Sequence, residues 1–217
     1  MTIGSAEMTA HDTTARPLRR DALRNQELVL DAAREVISEF GTEASMEQIA
    51  SRAGVGVGTV YRRFPNKEAL IDELVRIILD ELVTAATVAL ARGDGSGLEI
   101  FLRTTGHSFA SHRGYSDKLV SKLKSQCADA LFGLMSDLLA QAQQYGTIGP
   151  DVTVGDVRAT TWAIRGIIQT TGTVAPDAWE RHLDIHLAGL RAATLPSRRP
   201  PLSATQLTQI TGKTSGR

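Results

Sequence analysis

Residues 45 to 67 read Ser45-Met46-Glu47-Gln48-Ile49-Ala50-Ser51-Arg52-Ala53-Gly54-Val55-Gly56-Val57-Gly58-Thr59-Val60-Tyr61-Arg62-Arg63-Phe64-Pro65-Asn66-Lys67, and this stretch decides the fold. Ser45 stands where its hydroxyl can cap a helix and Gln48 can reach back to it, the reciprocal pattern of a capping box. That helix is expected to run to about Arg52. Ala53, Gly54 and Val55 supply a tight turn, and Val57 to Phe64 forms a second short helix, stopped by Pro65 and Asn66. Upstream, Leu23, Leu30, Ala33, Ile37 and Phe40 trace a helical stripe that ends at Gly41. Two short helices joined by a Gly-containing turn, with a third to bury their inner faces, form the helix-turn-helix unit whose second helix enters the DNA major groove. Ile49, Ala50, Val55, Val60 and Phe64 can share one small core against Ile37 and Phe40.

The face of the second short helix left over carries Val57, Gly58, Thr59, Tyr61, Arg62 and Arg63. Small residues there permit close approach, and polar ones reach phosphates or base edges. Spacing leaves open whether Thr59, Arg62 and Arg63 touch bases or phosphates. Lys67 opens the following helix, so its ammonium can join the N-terminal amides around a phosphate, and Ser45 offers a similar anion site.

From Glu47 to Leu70 the sequence resembles the DNA-binding domain of the TetR family of bacterial regulators, and the likeness extends over about residues 22 to 75. It rests on Ile49-Ala50, Ala53-Gly54-Val55, Gly58-Thr59-Val60-Tyr61, Phe64-Pro65 and Lys67-Glu68-Ala69-Leu70, in order and spacing. The resemblance implies a recognition helix in the major groove and phosphate contacts from Tyr61 and Lys67. It also implies a C-terminal domain that dimerises and often holds a small-molecule inducer. One departure is Gly56, where many members cap the recognition helix with Ser or Thr; Gly occupies the cap without offering a hydroxyl. Gly149-Pro150-Asp151-Val152 is similar to a subgroup common in actinobacteria.

Outward from the motif, apolar spacing is helical almost throughout, and the chain is expected to be all-α. Leu70, Leu74, Ile78 and Leu82 recur at i+4 in a long helix from Lys67 to about Leu90, broken by the glycines between Arg92 and Gly97. Further helices are expected near 98–111, 115–125, 128–145, 155–172 and 176–194. The organisation read from this is a disordered basic arm over 1–20, a helix-turn-helix domain over 21–66, a helical ligand-binding and dimerisation domain over 67–195, and a disordered tail over 196–217. Arg16, Arg19, Arg20 and Arg24 either reach an adjacent minor groove or add only non-specific attraction.

The 217 residues are 42% apolar and 22% charged with zero formal net charge, which speaks against a protein that binds nucleic acid all over its surface. A lone Cys127, no apolar leader and no membrane-length apolar run point to a reducing cytoplasm and no membrane partner. Gly54, Gly56 and Gly58 do not make a nucleotide loop, since no strand precedes them and Tyr61 stands where a third Gly belongs. His182 and His186 have metal-compatible spacing but no nearby Cys ligand and no hydrolytic Glu, so a surface or dimer-contact role is preferred and no metal or other cofactor is expected. No triad or carboxylate pair supports an enzyme, so no catalytic residue is assigned. Phe101, His107, Met135, Trp162 and Arg165 mix aromatic, soft and polar groups as a ligand cavity does, though each is equally compatible with ordinary packing. Ile164, Ile168 and Thr171 on one helix, and Trp179, Leu183, Leu187 and Leu190 on the next, form stripes; the resemblance implies pairing with a twofold mate in a four-helix bundle. Periodicity alone fits an intrachain core as well.

These readings converge on a homodimeric, sequence-specific regulator, a repressor of a palindromic operator released by a small-molecule effector. The alternatives are a non-specific architectural DNA binder and, less favoured, an enzyme using the C-terminal cavity with His107, His182 or Cys127 as acid, base or nucleophile.

Overall fold

The computed structural model describes residues 15–115, 126–194 and 199–213, and among these all regular structure is helical. The described residues form nine α-helices in order: α1 (Ala15–Phe40), α2 (Met46–Ala53), α3 (Val57–Arg63), α4 (Lys67–Ala91), α5 (Gly97–Ser111), α6 (Gln126–Gln144), α7 (Val154–Thr171), α8 (Ala178–Leu190) and α9 (Ala204–Lys213). Two 3-10 turns, Gly41–Glu43 and Arg113–Tyr115, follow α1 and α5. The helix expected over 115–125 falls almost wholly outside the described residues.

Local chemistry sets the boundaries near the motif. Ser45 Oγ accepts from the Gln48 amide at 3.2 Å while Gln48 Oε1 accepts from the Ser45 amide at 2.8 Å, so two orphan donors at the start of α2 are satisfied reciprocally. Gly54 ends α2 at φ 68°, a left-handed cap that a side chain would strain. Asn66 Oδ1 accepts from the Ala69 amide at 2.8 Å and starts α4. Later, Thr153 and Asp156 build a second reciprocal cap on α7. Gly149 donates to the Leu190 carbonyl at 2.8 Å, and a Cβ there would sit 2.2 Å from the Ala192 carbonyl oxygen.

Ala33, Ile37, Ile49, Ala50, Val60, Phe64, Leu70 and Leu74 are buried together and bind α1 to α4 into one small module. The core continues along α4 through Ile78, Leu82 and Ala86 to Phe101, Met135 and Leu138 in the larger module. At about 1.5 Å per residue, the 25 residues of α4 make a rod of roughly 37 Å shared by both modules. α4 packs chiefly against α5 and α6, and α7 and α8 pack on each other and on α5.

Three expectations need correction. Helix α1 begins at Ala15, inside the stretch expected to be a disordered arm; Pro17 falls in its first turn, where a missing N–H costs nothing. The expected tail contains α9, because Ser203 and Gln206 form another capping box, at 2.9 and 3.2 Å, and Leu207 is buried. Phe40, expected in the core, is 42% exposed as the last residue of α1.

Candidate nucleic-acid interface and effector cavity

Val60 and Phe64 anchor α3 in the small core, and the opposite side of the helix is open. Val57, Gly58, Tyr61, Arg62 and Arg63 are exposed there, with Thr59 half-buried beside them. A Cβ at Gly56 or Gly58 would meet nothing within 4 Å, so the absence of side chains keeps this face low for an approaching duplex. Gly56 caps α3 without a side-chain hydrogen bond. Arg63 leans toward α1: its Nε donates to Gln26 at 3.1 Å and its guanidinium lies 5.9 Å from the Phe64 ring centroid.

Ser45, Tyr61 and Lys67 come from three elements but meet around the start of α2. Tyr61 donates its hydroxyl to Glu47 at 3.4 Å, and Lys67 Nζ donates to the Ala44 carbonyl, next to Ser45, at 3.0 Å. A cation, a phenol and the positive end of a helix thus face one place, an arrangement suited to a phosphate. Arg52 takes no part: it bridges Glu35 and Glu39 of α1 at 2.9 and 2.8 Å. Both hydrogen bonds raise its pKa further. Arg24 is exposed; the side chains of Arg16, Arg19 and Arg20 lie outside the described residues.

In the larger module a cavity opens between α4, α5, α6 and α7. Of the expected ligand residues, Phe101, Met135 and Trp162 line it. His107 and Arg165 do not: His107 is exposed and sets its ring edge-on to Trp179, centroids 4.8 Å apart, and Arg165, three residues beyond Trp162 on α7, is not among the lining residues. Among the lining residues missed from sequence, the charged one is Arg158, which is only 8% exposed. Its guanidinium lies 3.9 Å from the Phe132 ring centroid and 5.7 Å from that of Trp162, and burial pushes its pKa down. The signal was an arginine four residues before Trp162, a spacing that places both on one side of the helix.

A family model of bacterial regulatory proteins of the tetR family matches residues 29–74, and an SbtR-like transcriptional regulator C-terminal domain matches residues 95–192. A TetR transcription regulatory protein from Mycobacterium vanbaalenii is 33% identical, with TM-score 0.60 over 81% of this chain and 100% of that one. The chain belongs to the TetR family. It is therefore a helix-turn-helix DNA-binding transcription regulator. The transcriptional repressor KstR2 of Rhodococcus jostii is 26% identical over 83% of this chain and 95% of its own length. The regulator YhgD of Bacillus subtilis is 37% identical over 32% of this chain, and the match covers 37% of that relative.

Within this TetR-family chain the expected dimer stripe requires correction. Ile164, Ile168, Trp179, Leu183, Leu187 and Leu190 are all buried within the single chain, packed on α5 and on each other, so they hold α7 and α8 in place and are closed to a partner. Thr171 is half-buried and gives its hydroxyl to the Ile167 carbonyl at 2.9 Å. The outward faces of the same helices carry Gly166, Thr170, Ile185, Ala188 and Gly189, all exposed, with Ile185 at 56%. His182 is exposed and His186 half-buried on α8.

Proposed function

We propose that this regulator is a homodimeric repressor that reads a palindromic operator and leaves it when a small molecule occupies the cavity behind α4. The observation that carries the reading is the open face of α3 set beside the Ser45, Tyr61 and Lys67 cluster. Val57, Gly58, Thr59, Tyr61, Arg62 and Arg63 meet the major groove, while Tyr61, Lys67 and the start of α2 grip the flanking phosphate. The dimer forms through the outward faces of α7 and α8. Gly166 and Gly189 face open space there, and glycine inside a helix costs roughly 1 kcal/mol against alanine, a cost that close approach of a partner helix offsets. Half-sites then lie about 34–36 Å apart, one helical turn, or farther.

The test is a competition binding assay on DNA flanking the protein's own gene, with random DNA as competitor across a salt series. We expect a symmetric footprint and a linear fall of log affinity with log salt. Lys67→Met is expected to weaken binding and reduce the salt slope by about 0.9 for each half-site contacted, and Tyr61→Ala to abolish the footprint. Equal affinity for random and flanking DNA, or a slope unmoved by Lys67→Met, refutes the reading in favour of an architectural binder or a different contact surface.

A further inference from the structure

Among the described residues lining the cavity, Arg158 is the one charged side chain, and Leu79, Leu82, Phe101, Phe109 and Met135 give that lining its apolar character. Its guanidinium has no hydrogen bond or ion pair among the described residues, and Nε is buried without a partner. Stacking on Phe132 covers one face of the guanidinium, but its N–H groups lie in the edge and still need acceptors. Thr105 and Thr161 also line the cavity, with their hydroxyl protons given to the Phe101 and Arg158 carbonyls at 2.9 and 2.7 Å; neither accepts from the Arg158 guanidinium, and a neutral hydroxyl would not balance its charge. A buried cation with no counter-ion among the described residues, set in an apolar lining, is costly unless something else brings the negative charge.

Resting on the effector-released reading above, we propose that the effector is a small organic carboxylate with an apolar, ring-bearing body, whose carboxylate pairs with Arg158. A planar guanidinium fork matches a carboxylate in two parallel hydrogen bonds. A single cation balances a monoanion and leaves a phosphate dianion half-compensated, which selects the carboxylate. Phe101, Phe109, Phe132 and Trp162 then face the body of the molecule. The cavity is about 40 Å³, room for on the order of three waters, so the acid must part the walls. Two of those walls, Leu79 and Leu82, belong to α4.

The test uses the full chain and isothermal titration calorimetry with benzoate, 3-phenylpropanoate, 4-phenylbutanoate and decanoate, each against its primary amide. At least one acid is expected to bind roughly 10-fold tighter than its amide, the increment of a charge-assisted contact. Arg158→Met should reduce that preference to within about twofold, and Arg158→Lys should keep part of it. Far-UV circular dichroism and binding to the gene-flanking DNA confirm that each variant is folded. The inference is overturned by acids and amides that bind alike, by a set in which no acid binds, or by an acid preference that survives Arg158→Met. If a variant does not fold, the acid-to-amide ratio of the parent protein decides alone. Failure of the parent to bind flanking DNA sinks the repressor reading instead, independently of the acid titration.

Discussion

Gly106 lies within α5 on the side that meets α8, and a Cβ built there would fall 2.1 Å from Trp179 Cζ3 and 2.6 Å from Cε3. Carbon atoms rest at about 3.5–4.0 Å, so Gly106→Ala obliges the indole to move by roughly 1.5 Å. Trp179 has nowhere cheap to go, being 2% exposed and edged by His107 at 4.8 Å. Overpacking of this kind costs about 1–3 kcal/mol, and at the upper end of that range here because an aromatic ring rather than a flexible chain end is struck. Alanine returns up to about 1 kcal/mol through helix propensity. The expected net loss is about 2 kcal/mol, which for a chain of this size lowers Tm by roughly 4–8 °C. Thermal and urea unfolding measure it, and the same substitution in a Trp179→Leu background should be neutral or stabilising, giving a coupling energy of about 2–3 kcal/mol in the double-mutant cycle. An unchanged or raised Tm for Gly106→Ala in the Trp179 protein would refute the notch-and-ring account of how α5 and α8 lock.

Two further outcomes follow from buried polar groups. Burial, the largest cause, and the nearby Arg34 hold the His112 imidazole below its ordinary pKa, despite a 2.8 Å hydrogen bond between Nδ1 and the Ser108 carbonyl. The unfolded chain then binds the proton first, so stability is complete above about pH 6.5 and declines as pH falls from there toward the folded value; urea midpoints at pH 7.5 and 5.5 should separate more in the parent than in His112→Gln. Arg158→Met removes an unpartnered buried charge while keeping an unbranched chain of similar reach, so Tm should equal or exceed that of the parent. A fall of more than about 4 °C, roughly 1–2 kcal/mol, would mean that stacking on Phe132 is worth more than the orphaned Nε costs.

The DNA-reading module was legible because its signals are local: Ser45 and Gln48, Gly54, and Pro65 with Asn66 each fix a boundary through atoms within four residues. The capping box at Ser203 and Gln206 carried the same signal, but the Pro, Ser and Thr around it suggested disorder, and only the burial of Leu207 shows what the helix gains. Arg158 stayed hidden for a different reason. Arginine is exposed by default, and nothing within one helical turn reveals that Phe132 from another helix will cover it. The stripe from Trp179 to Leu190 has a period but no address: a row of leucines reads the same whether α5 or a second subunit buries it. Its destination depends on Gly106, which opens the slot for Trp179 from 73 residues away in sequence.

The cavity and the DNA face are joined at two places. Leu79 and Leu82 stand about 12 to 15 residues beyond Lys67 on the same helix, a lever of roughly 18–22 Å. A tilt of only about 5° at the cavity would move Lys67 by nearly 2 Å, more than the width of the hydrogen-bond range that a phosphate contact tolerates. The second joint is the turn Arg113–Tyr115 resting on α1. A Cβ at Gly114 would sit 2.5 Å from the Ile37 carbonyl oxygen, so the turn meets the α1 backbone with no side chain between them, and Arg34 of α1 reaches Glu81 of α4 at 3.4 Å. That ion pair is largely exposed and contributes little by itself; the packed turn is the stiffer link. On the effector-released reading proposed above, a push on α4 from the cavity, with α1 held by the turn, would rotate the small module rather than slide it. The energy for that rotation is bounded by how much better an effector binds the widened cavity than the closed one. A carboxylate that satisfies Arg158 only after Leu79 and Leu82 have moved is the arrangement in which that difference is largest.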